Sequence, residues 1–511
     1  MTGTPTIDAG AAARLRADLE AARFTTDGLA AMLGPVASAA LERDEPVPAL
    51  VVLDGAGTVP AATLTRLFLL GQRVRRADLD RALPGTGTDG AERAGLVRAA
   101  GHGGDDEVQA LVDLQPSTTA TQAGDTDWWL ASDPTELATG AALRPDHVLG
   151  VGEASLTLLR ATVPTRVDRV LDLGTGCGIQ ALHAAAHARR VTATDLSARA
   201  LGYARFNAAL AQVDLDLRAG SMLDPVVGER FDLVVSNPPF VITPRAAGLP
   251  EYEYRDGGRT GDSLVRDLVQ QVGQVLAPGG VAQLLANWEV PAGASWDAVV
   301  GDWLDRSGLD GWVVQRDLVD PAQYAELWLR DGGSTRDRDQ AAWRSAYRAW
   351  LADFAARRVE AIGMGLVTLR RPVEGSPTLR RVEEITGTLD ERLGGVIAAV
   401  LAAHDALTGL DEAAFAAQRL VVAPDVTEER HLVPGESDPR VVLLRQGSGY
   451  RRAVQVGTAV AGFVGACDGE LTVGTLVTAL AAVLGRASDD VAAEVLPIAR
   501  DLVRDGLLQL V

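Results

Sequence analysis

Lysine is absent from this 511-residue sequence, and all 48 basic residues are arginine. This absence excludes a Walker phosphate-binding loop, a Schiff-base lysine and a pyridoxal-phosphate lysine, because each of these sites needs a lysine side chain. Only two cysteines occur, Cys177 and Cys467, which is too few for a disulfide framework or a zinc knuckle. Asparagine is also scarce and is found only at Asn207, Asn237 and Asn287.

The charge balance is strongly acidic, with 48 basic and 68 acidic residues and a formal net charge of −20. A surface of this sign repels phosphate backbones, so a protein that merely coats nucleic acid is disfavoured, although a local basic patch is compatible with the total. The first twenty residues resemble an acidic helix rather than a signal sequence, and no apolar run is long enough to span a bilayer. We therefore expect a cytoplasmic location.

The length and the changing residue pattern predict three domains. Residues 1–146 combine short helical segments with a strand-like hairpin and are interpreted as an N-terminal accessory domain. Residues 147–372 alternate short apolar runs with helical stretches, which indicates a parallel α/β sheet. Residues 373–511 end in a helix, an Asp-Gly turn, two helices and a short strand, an order that favours a winged-helix-like accessory domain.

Seven strands are predicted in the central region, which indicates a Rossmann-like α/β sheet. The predicted strands are 169–173, 190–195, 214–218, 231–236, 281–287, 312–316 and 364–370.

A glycine-rich turn follows the first of these strands. The chain runs from Leu173 into Gly174-Thr175-Gly176-Cys177-Gly178 and then into an alanine-rich helix. Glycine permits positive φ and close approach of a ligand, and the following helix presents free N–H groups. Asp195 ends the next strand, where a carboxylate can accept hydrogen bonds from two ribose hydroxyls. The G-x-G-x-G spacing differs from the G-x-G-x-x-G of dinucleotide sites, which favours a cofactor without a pyrophosphate.

A stiff loop follows the fourth strand, with the sequence Asn237-Pro238-Pro239-Phe240. The two prolines fix φ and remove two donors, so their carbonyl groups are free to accept. An acceptor –NH₂ group can donate to the Asn237 oxygen and the Pro238 carbonyl while Phe240 stacks on its plane. This arrangement would aim a nitrogen lone pair at a reactive methyl group by positioning alone. Because both loops fall at the carboxyl edge of the sheet, we expect them to form one site.

The stretch 219–241 together with the glycine loop resembles class I methyltransferases that carry an (Asn/Asp)-Pro-Pro-(Phe/Tyr) motif. It looks most like the HemK/PrmC group, which methylates glutamine in peptide-release factors, and it is also similar to small-domain methyltransferases of rRNA and tRNA bases. The similarity covers about residues 150–288, and the arrangement of the whole chain looks like an actinobacterial branch of this superfamily. The resemblance implies S-adenosyl-L-methionine as cofactor and a seven-stranded class I sheet.

The resemblance also implies roles for individual residues. The relatives usually carry Gly-Asp after the third strand, where the Asp binds the adenine amino group, whereas Ser221 stands at that place here. No metal ligand is predicted. The expected catalytic residues are Asn237, Pro238, Pro239 and Phe240, and the expected cofactor contacts are Asp172, Gly174, Thr175, Gly176, Gly178, Asp195, Leu196, Ser221, Met222 and Asn237.

Several acceptors remain open at this point. The favoured one is a glutamine amide in a protein such as a release factor, and the alternative is adenine N6 or guanine N2 in rRNA or tRNA. A small-molecule methyltransferase and a non-enzymatic, cofactor-sensing DNA-binding module are further alternatives. We expect a protein or RNA partner and no membrane partner.

Two further segments are singled out near the site. Residues 252–258 are interpreted as a mobile cover over the target, with Gly257 and Gly258 as its hinge. The aromatic-rich segment 320–360 is interpreted as an inserted helical pair, either packed as core or forming a substrate lip. The arginine-rich segment 330–381 is either a solvated face or a surface for RNA or an acidic factor.

Overall fold

A computed structural model describes residues 3–121, 124–140, 143–245, 252–390 and 392–511. The chain divides into two compact units: Met1–Leu158 with Arg166–Glu384, and Leu159–Thr165 with Ile385–Val511. The limits of these two units differ from those of the three domains expected from the sequence, at residues 1–146, 147–372 and 373–511. The boundaries of the three domains stay predictions. Among the described residues, no helix combines the length and the apolar character needed to cross a bilayer.

The N-terminal part of the first unit is a set of short helices with a small sheet and a hairpin. Its elements are α1 (Ala9–Ala21), α2 (Thr26–Leu41), α3 (Val47–Ala56), α4 (Pro60–Leu64), β1 (Val74–Arg75), α5 (Arg76–Ala82), α6 (Gly87–Arg93), β2 (Val97–Ala99), β3 (Glu107–Ala110), β4 (Asp113–Thr121) and β5 (Gly124–Ser132). Strands β1, β3 and β2 form one antiparallel sheet, and β4 pairs with β5 in an antiparallel ladder.

The remainder of the first unit is one eight-stranded sheet with its helices. The elements are α7 (Glu136–Thr139), α8 (Glu153–Ala161), β6 (Val167–Leu173), α9 (Ile179–Ala185), β7 (Ala188–Asp195), α10 (Ala198–Ala211), β8 (Asp216–Ala219), β9 (Phe231–Ser236), α11 (Ser263–Gln271), β10 (Leu276–Pro291), α12 (Trp296–Ser307), β11 (Asp310–Val319), α13 (Pro321–Asp331), α14 (Gln340–Ala356), β12 (Val359–Arg370) and β13 (Arg380–Glu384).

The strand order confirms the predicted Rossmann-like methyltransferase sheet. The order is β8-β7-β6-β9-β10-β12-β11-β13, and only β12 runs antiparallel to its neighbours. Counting from β6, this is the order 3-2-1-4-5-7-6 with one added strand. All seven predicted strands are present, and β13 was not predicted. Its sequence Arg-Arg-Val-Glu-Glu contains a single apolar residue, as suits an edge strand that is at most half-buried.

Asn207 on α10 joins the N-terminal hairpin to the sheet. Its side-chain oxygen accepts from Ala131 N at 2.8 Å, while its amide group donates to Ala131 O at 2.9 Å and to Cys177 O at 2.8 Å. Asn207 is completely buried, so each of these bonds satisfies a group that water cannot reach. The Asn207 side chain therefore links the hairpin to the glycine-rich loop by hydrogen bonds.

Asp113, at the start of β4, gives the first unit a pH dependence. Burial raises the pKa of this carboxyl to about 8, and Gln115 Nε2 donates to it at 3.2 Å. A raised pKa means that the folded chain holds a proton which the unfolded chain releases above about pH 4. The stability contributed by this proton is therefore lost as the pH rises towards 8.

We expect Asp113→Asn, which keeps the shape without the titration, to remove this loss. Thermal unfolding of both proteins between pH 5 and pH 9 should show the Tm of the variant gaining on that of the wild type as the pH rises. A constant difference in Tm across this range would contradict the assignment.

The second unit contains two three-stranded sheets and five helices among its described residues. The elements are α15 (Leu393–Thr408), α16 (Glu412–Ala416), β14 (Arg419–Val422), β15 (Val426–His431), β16 (Val441–Gln446), β17 (Ala453–Val456), α17 (Thr458–Gly465), β18 (Asp468–Thr472), α18 (Val473–Leu484), α19 (Ser488–Arg504) and β19 (Leu508–Leu510). The sheet orders are β18-β14-β19 and β15-β16-β17. The run from α17 to β19 follows the expected order of helices and final strand. However, β14, the central strand of the sheet β18-β14-β19, precedes α17 in the chain. The winged-helix interpretation stays a prediction.

Candidate cofactor and acceptor site

The glycine-rich loop at the end of β6 has two glycines that face open space and one that packs. Gly174, Gly176 and Gly178 all have positive φ, at 76°, 55° and 94°. A Cβ at Gly174 or Gly176 would meet no atom within 4 Å, whereas one at Gly178 would lie 3.3 Å from the Cα of Ala204 on α10. The first two glycines thus leave room for a ligand, and Gly178 permits the close approach of α10.

Asp172 holds this loop from inside the sheet. Its Oδ2 accepts from the Thr175 hydroxyl at 2.6 Å and from Ala181 N at 3.0 Å. The side chain is fully buried, and this burial raises the pKa of the carboxyl to about 7. Asp172 therefore fixes the turn and the start of α9, and it does not line the cavity described below.

Asp195 ends β7 beside the same loop. Its Oδ2 accepts from Gly176 N at 2.9 Å and its Oδ1 accepts from Ser197 N at 2.8 Å. Burial is the largest influence on this carboxyl and raises its pKa. Each oxygen keeps further capacity to accept a hydrogen bond, so the carboxylate can bind two neighbouring hydroxyl groups.

A cavity of about 320 Å³ lies over these loops at the carboxyl edge of the sheet. Of the residues expected from the sequence, it is lined by Gly174, Thr175, Gly176, Asp195, Leu196, Ser221, Met222, Asn237 and Pro239. Ser221 is exposed, and Met222 adopts a left-handed φ of 45° that is uncommon for a residue with a side chain. Asp172, Gly178, Pro238 and Phe240 lie outside the lining. The structure thus brings both predicted loops to one cavity.

The loop after β9 contains a buried polar atom that has no hydrogen-bond partner among the described residues. The Ser236 hydroxyl donates to Leu173 O at 2.7 Å and so ties this loop to the end of β6. The next residue, Asn237, has a buried Oδ1 that accepts no hydrogen bond from any residue that the structure describes. A buried acceptor without a donor costs about 1–3 kcal/mol, which a bound donor would recover.

The rest of the loop separates into lining and packing. Pro238 is buried, while Pro239 faces the cavity. Phe240 is half-buried and its ring meets that of Trp328 edge to face, with 6.1 Å between the centroids. Phe240 therefore contacts the inserted helix α13.

Five residues of the predicted cover, residues 252–258, line the cavity, and the segment contacts this loop directly. Val241 N donates to Arg255 O at 3.0 Å. The Arg255 guanidinium is buried and donates to Trp328 O at 2.8 Å and to Asp331 at 2.7 Å. The segment is thereby attached to both the loop and α13. Its proposed mobility stays a prediction.

Gly257 stands where this cover meets the loop. A Cβ there would lie 2.9 Å from Pro239 O and 2.8 Å from Leu264 Cδ1, which is closer than side chains tolerate. We expect Gly257→Ala to push the cover and the loop apart and to lower kcat about tenfold or more. Gly152→Ala is the matched control, since a Cβ there meets nothing within 4 Å. Equal steady-state rates for the two variants would show that this close contact has no role.

The lining residues that the sequence interpretation did not name include residues 147–150. His147 is buried, its pKa is lowered mainly by burial, and its ring lies 6.0 Å from that of Tyr254. The adjacent Val148 N donates to Asp133 Oδ2 at 2.8 Å. Residues 147–150 lie in the segment before β6, where no sequence motif identifies them as part of a site.

The inserted pair α13–α14 forms core, which is one of the two arrangements expected from the sequence. Tyr324, Trp350 and Phe354 are buried together between this pair and β12. Many arginines of segment 330–381 make ion pairs within the first unit, namely Arg338–Glu136, Arg357–Glu289, Arg370–Asp310, Arg380–Asp305 and Arg381–Glu383. The alternative interpretation of these arginines, as a surface for RNA or an acidic factor, stays a hypothesis.

Comparison with known families agrees with this geometry. A family model described as the methyltransferase small domain matches residues 150–304. Residues 150–304 are therefore similar to this family. Two other models, each described as a domain of unknown function, match residues 21–111 and 399–510. The matched methyltransferase small domain contains both the glycine loop and the Asn237 loop.

Curated relatives match part of the chain. The release factor glutamine methyltransferase of Deinococcus radiodurans is 44% identical over 124 residues, which are 23% of this chain and 44% of that protein. The ribosomal protein uL3 glutamine methyltransferase of Bradyrhizobium diazoefficiens is 32% identical over 191 residues, 34% of this chain and 59% of that protein. The ribosomal RNA small subunit methyltransferase C of Salmonella arizonae is 31% identical over 144 residues, 28% of this chain and 38% of that protein.

The chain therefore spans about half the length of the curated relatives it matches. The similarity to HemK-like class I methyltransferases that the sequence predicts is confirmed.

Proposed function

We propose that this chain is an S-adenosyl-L-methionine-dependent N-methyltransferase. The cavity residues fit such a cofactor: Gly174 and Gly176 offer open backbone, and the Asp195 carboxylate can accept from two ribose hydroxyls. Leu196 is 76% exposed and lines the cavity, where it offers an apolar surface to an adenine ring. When bound, the cofactor supplies an electrophilic methyl group on a sulfonium.

The observation that carries the proposal is the unsatisfied Oδ1 of Asn237 at this cavity. An –NH₂ group of the acceptor can donate to this oxygen and, as the sequence predicts, to the Pro238 carbonyl. These contacts hold the nitrogen with its lone pair directed at the methyl carbon, and catalysis by positioning needs no strong base for the transfer itself. The nitrogen releases one proton when its new bond to carbon is complete.

We further propose that the acceptor is the carboxamide of a protein glutamine. The Deinococcus and Bradyrhizobium relatives carry glutamine methyltransferase names, and the acidic net charge of −20 is compatible with a protein partner. The test incubates the chain with methyl-labelled cofactor and purified release factors or ribosomal proteins. Label on a glutamine, located by peptide mass spectrometry, supports the proposal, and label found only in RNA refutes the protein acceptor.

The second candidate is an exocyclic amine of adenine or guanine in rRNA or tRNA. The Salmonella relative, which is named for ribosomal RNA, motivates this alternative. An RNA substrate predicts an affinity that falls steeply as salt rises. Failure to bind ribosomal RNA at low salt would count against this acceptor. Either acceptor implies a protein or RNA partner and a cytoplasmic reaction.

A small-molecule acceptor and a cofactor-sensing DNA-binding module are the remaining alternatives. A sensor would bind the cofactor without consuming it, and a small-molecule enzyme would methylate neither protein nor RNA. Measuring S-adenosylhomocysteine release with each acceptor class separates these alternatives.

A further inference from the structure

A buried tyrosine of the inserted helix α13 connects the loop after β9 to the sheet. This loop, Asn237-Pro238-Pro239-Phe240, is called the acceptor loop below. The Tyr324 hydroxyl accepts from Ile242 N at 3.1 Å and from Asn287 Nδ2 at 2.7 Å. Tyr324 is completely buried, and burial raises the pKa of its phenol, so the group stays protonated at neutral pH. Asn287 lies on β10, so the hydroxyl joins three elements that are distant in the sequence.

The acceptor loop depends on such outside contacts because of its own sequence. Pro238 and Pro239 have no N–H groups, so the loop cannot be fixed there by donating hydrogen bonds. Two of the N–H groups that follow are held by other elements: Val241 N by Arg255 O, and Ile242 N by the Tyr324 hydroxyl. The rigid backbone of Asn237 to Phe240 is tied to β6 on one side by Ser236, and these two attachments hold it on the other side.

The two attachments also support each other. Arg255 binds α13 through Trp328 O and Asp331, and Tyr324 belongs to the same helix. Loop, cover and helix thus form a closed set of three mutual contacts. A shift in the position of α13 would displace the acceptor loop from two sides at once.

We infer that Tyr324 is a positioning residue for methyl transfer, acting through its hydroxyl on the backbone that carries Asn237 and Phe240. The inference rests on the proposed function, since it names a residue that acts on the same site. The aromatic ring packs with Trp350 and Phe354, which accounts for its burial but not for its hydroxyl. The hydroxyl can be removed while the ring stays in place.

The test compares Tyr324→Phe with Tyr347→Phe in the full chain. Tyr347 lies on α14, and its hydroxyl donates to Glu326 of α13 at 3.0 Å, so the control loses one hydrogen bond of similar length that does not involve the loop. We expect Tyr324→Phe to lower kcat about tenfold with unchanged affinity for S-adenosylhomocysteine, because misplacing the loop affects transfer rather than cofactor binding. Tyr347→Phe should keep the wild-type rate.

A second variant keeps the inference testable if Tyr324→Phe fails to fold. Asn287→Ala removes the sheet-side partner of the hydroxyl and should give the same separation of a lower kcat from an unchanged cofactor affinity. Wild-type kcat in a folded Tyr324→Phe or Asn287→Ala would overturn the inference, as would an equal loss in Tyr347→Phe. Absence of methyl transfer by the wild-type chain to every acceptor class would instead defeat the proposed function.

Discussion

Replacing Asn237 by alanine is expected to reduce kcat by about 10²–10³-fold while leaving the affinity for S-adenosylhomocysteine within about twofold of the wild-type value. The side-chain oxygen is buried and receives no donor from the described chain, so its removal costs the folded protein little. The acceptor nitrogen, by contrast, loses a contact that orients it. The two quantities can be measured by methyl-transfer kinetics and by calorimetry.

Asn237→Asp is the matched control, because a carboxylate of the same size keeps an oxygen that can accept. We expect this variant to retain more activity than Asn237→Ala. If both variants transfer methyl groups at the wild-type rate, Asn237 does not hold the acceptor, and the proposed mechanism fails. If both lose cofactor affinity instead, the residue belongs to the cofactor side of the cavity.

Replacing Asp195 by alanine should have the opposite signature. The carboxylate is expected to accept two hydrogen bonds from the cofactor, and a hydrogen bond to a charged group contributes about 1.5–3 kcal/mol. We therefore expect the Kd for S-adenosylhomocysteine to rise about 100-fold or more, with a proportionate rise in KM for the methyl donor. Calorimetric titration measures this change directly.

Asp195 also holds the glycine loop through Gly176 N, so part of the loss will come from a looser turn. Asp195→Asn helps to separate the loss of cofactor contacts from the looser turn. Its side chain keeps one oxygen that can accept a hydrogen bond, while the second oxygen of the carboxylate is replaced by an NH₂ group. Asp224 is an exposed residue after the neighbouring strand β8, and the variant Asp224→Ala controls for the change in charge. An affinity of Asp195→Ala equal to that of Asp224→Ala would remove Asp195 from the cofactor site.

The strands and the two loops of the site could be predicted because their signals are local. Apolar runs of five or six residues identify buried parallel strands, and the glycines and prolines restrict the backbone wherever they stand. Strand β13 escaped prediction because an edge strand needs few apolar residues. Strand β10 extends over sixteen residues, well beyond the apolar stretch 281–287, because β12 pairs along most of its length.

The individual roles within the motifs were less accessible. Asp172 and Gly178 both belong to the predicted cofactor motif. Asp172, on β6, anchors the loop by accepting from Ala181 N, whereas Gly178 packs against Ala204 and so permits the close approach of α10. Phe240 packs on Trp328 of the inserted helix, a contact between residues that are far apart in the chain. A motif specifies the residue types at a turn, whereas the direction of each side chain depends on what packs beside it.

The three asparagines show where this division lies. By itself, the sequence determined the glycine turn, the rigid loop around Asn237 and the order of elements between them, because these follow from backbone restrictions within a few residues. Only the tertiary structure decided that Asn207 links the hairpin to the glycine-rich loop and that Asn287 reaches the acceptor loop through Tyr324. Buried amide groups must find partners, and those partners come from strands and helices that only folding brings together.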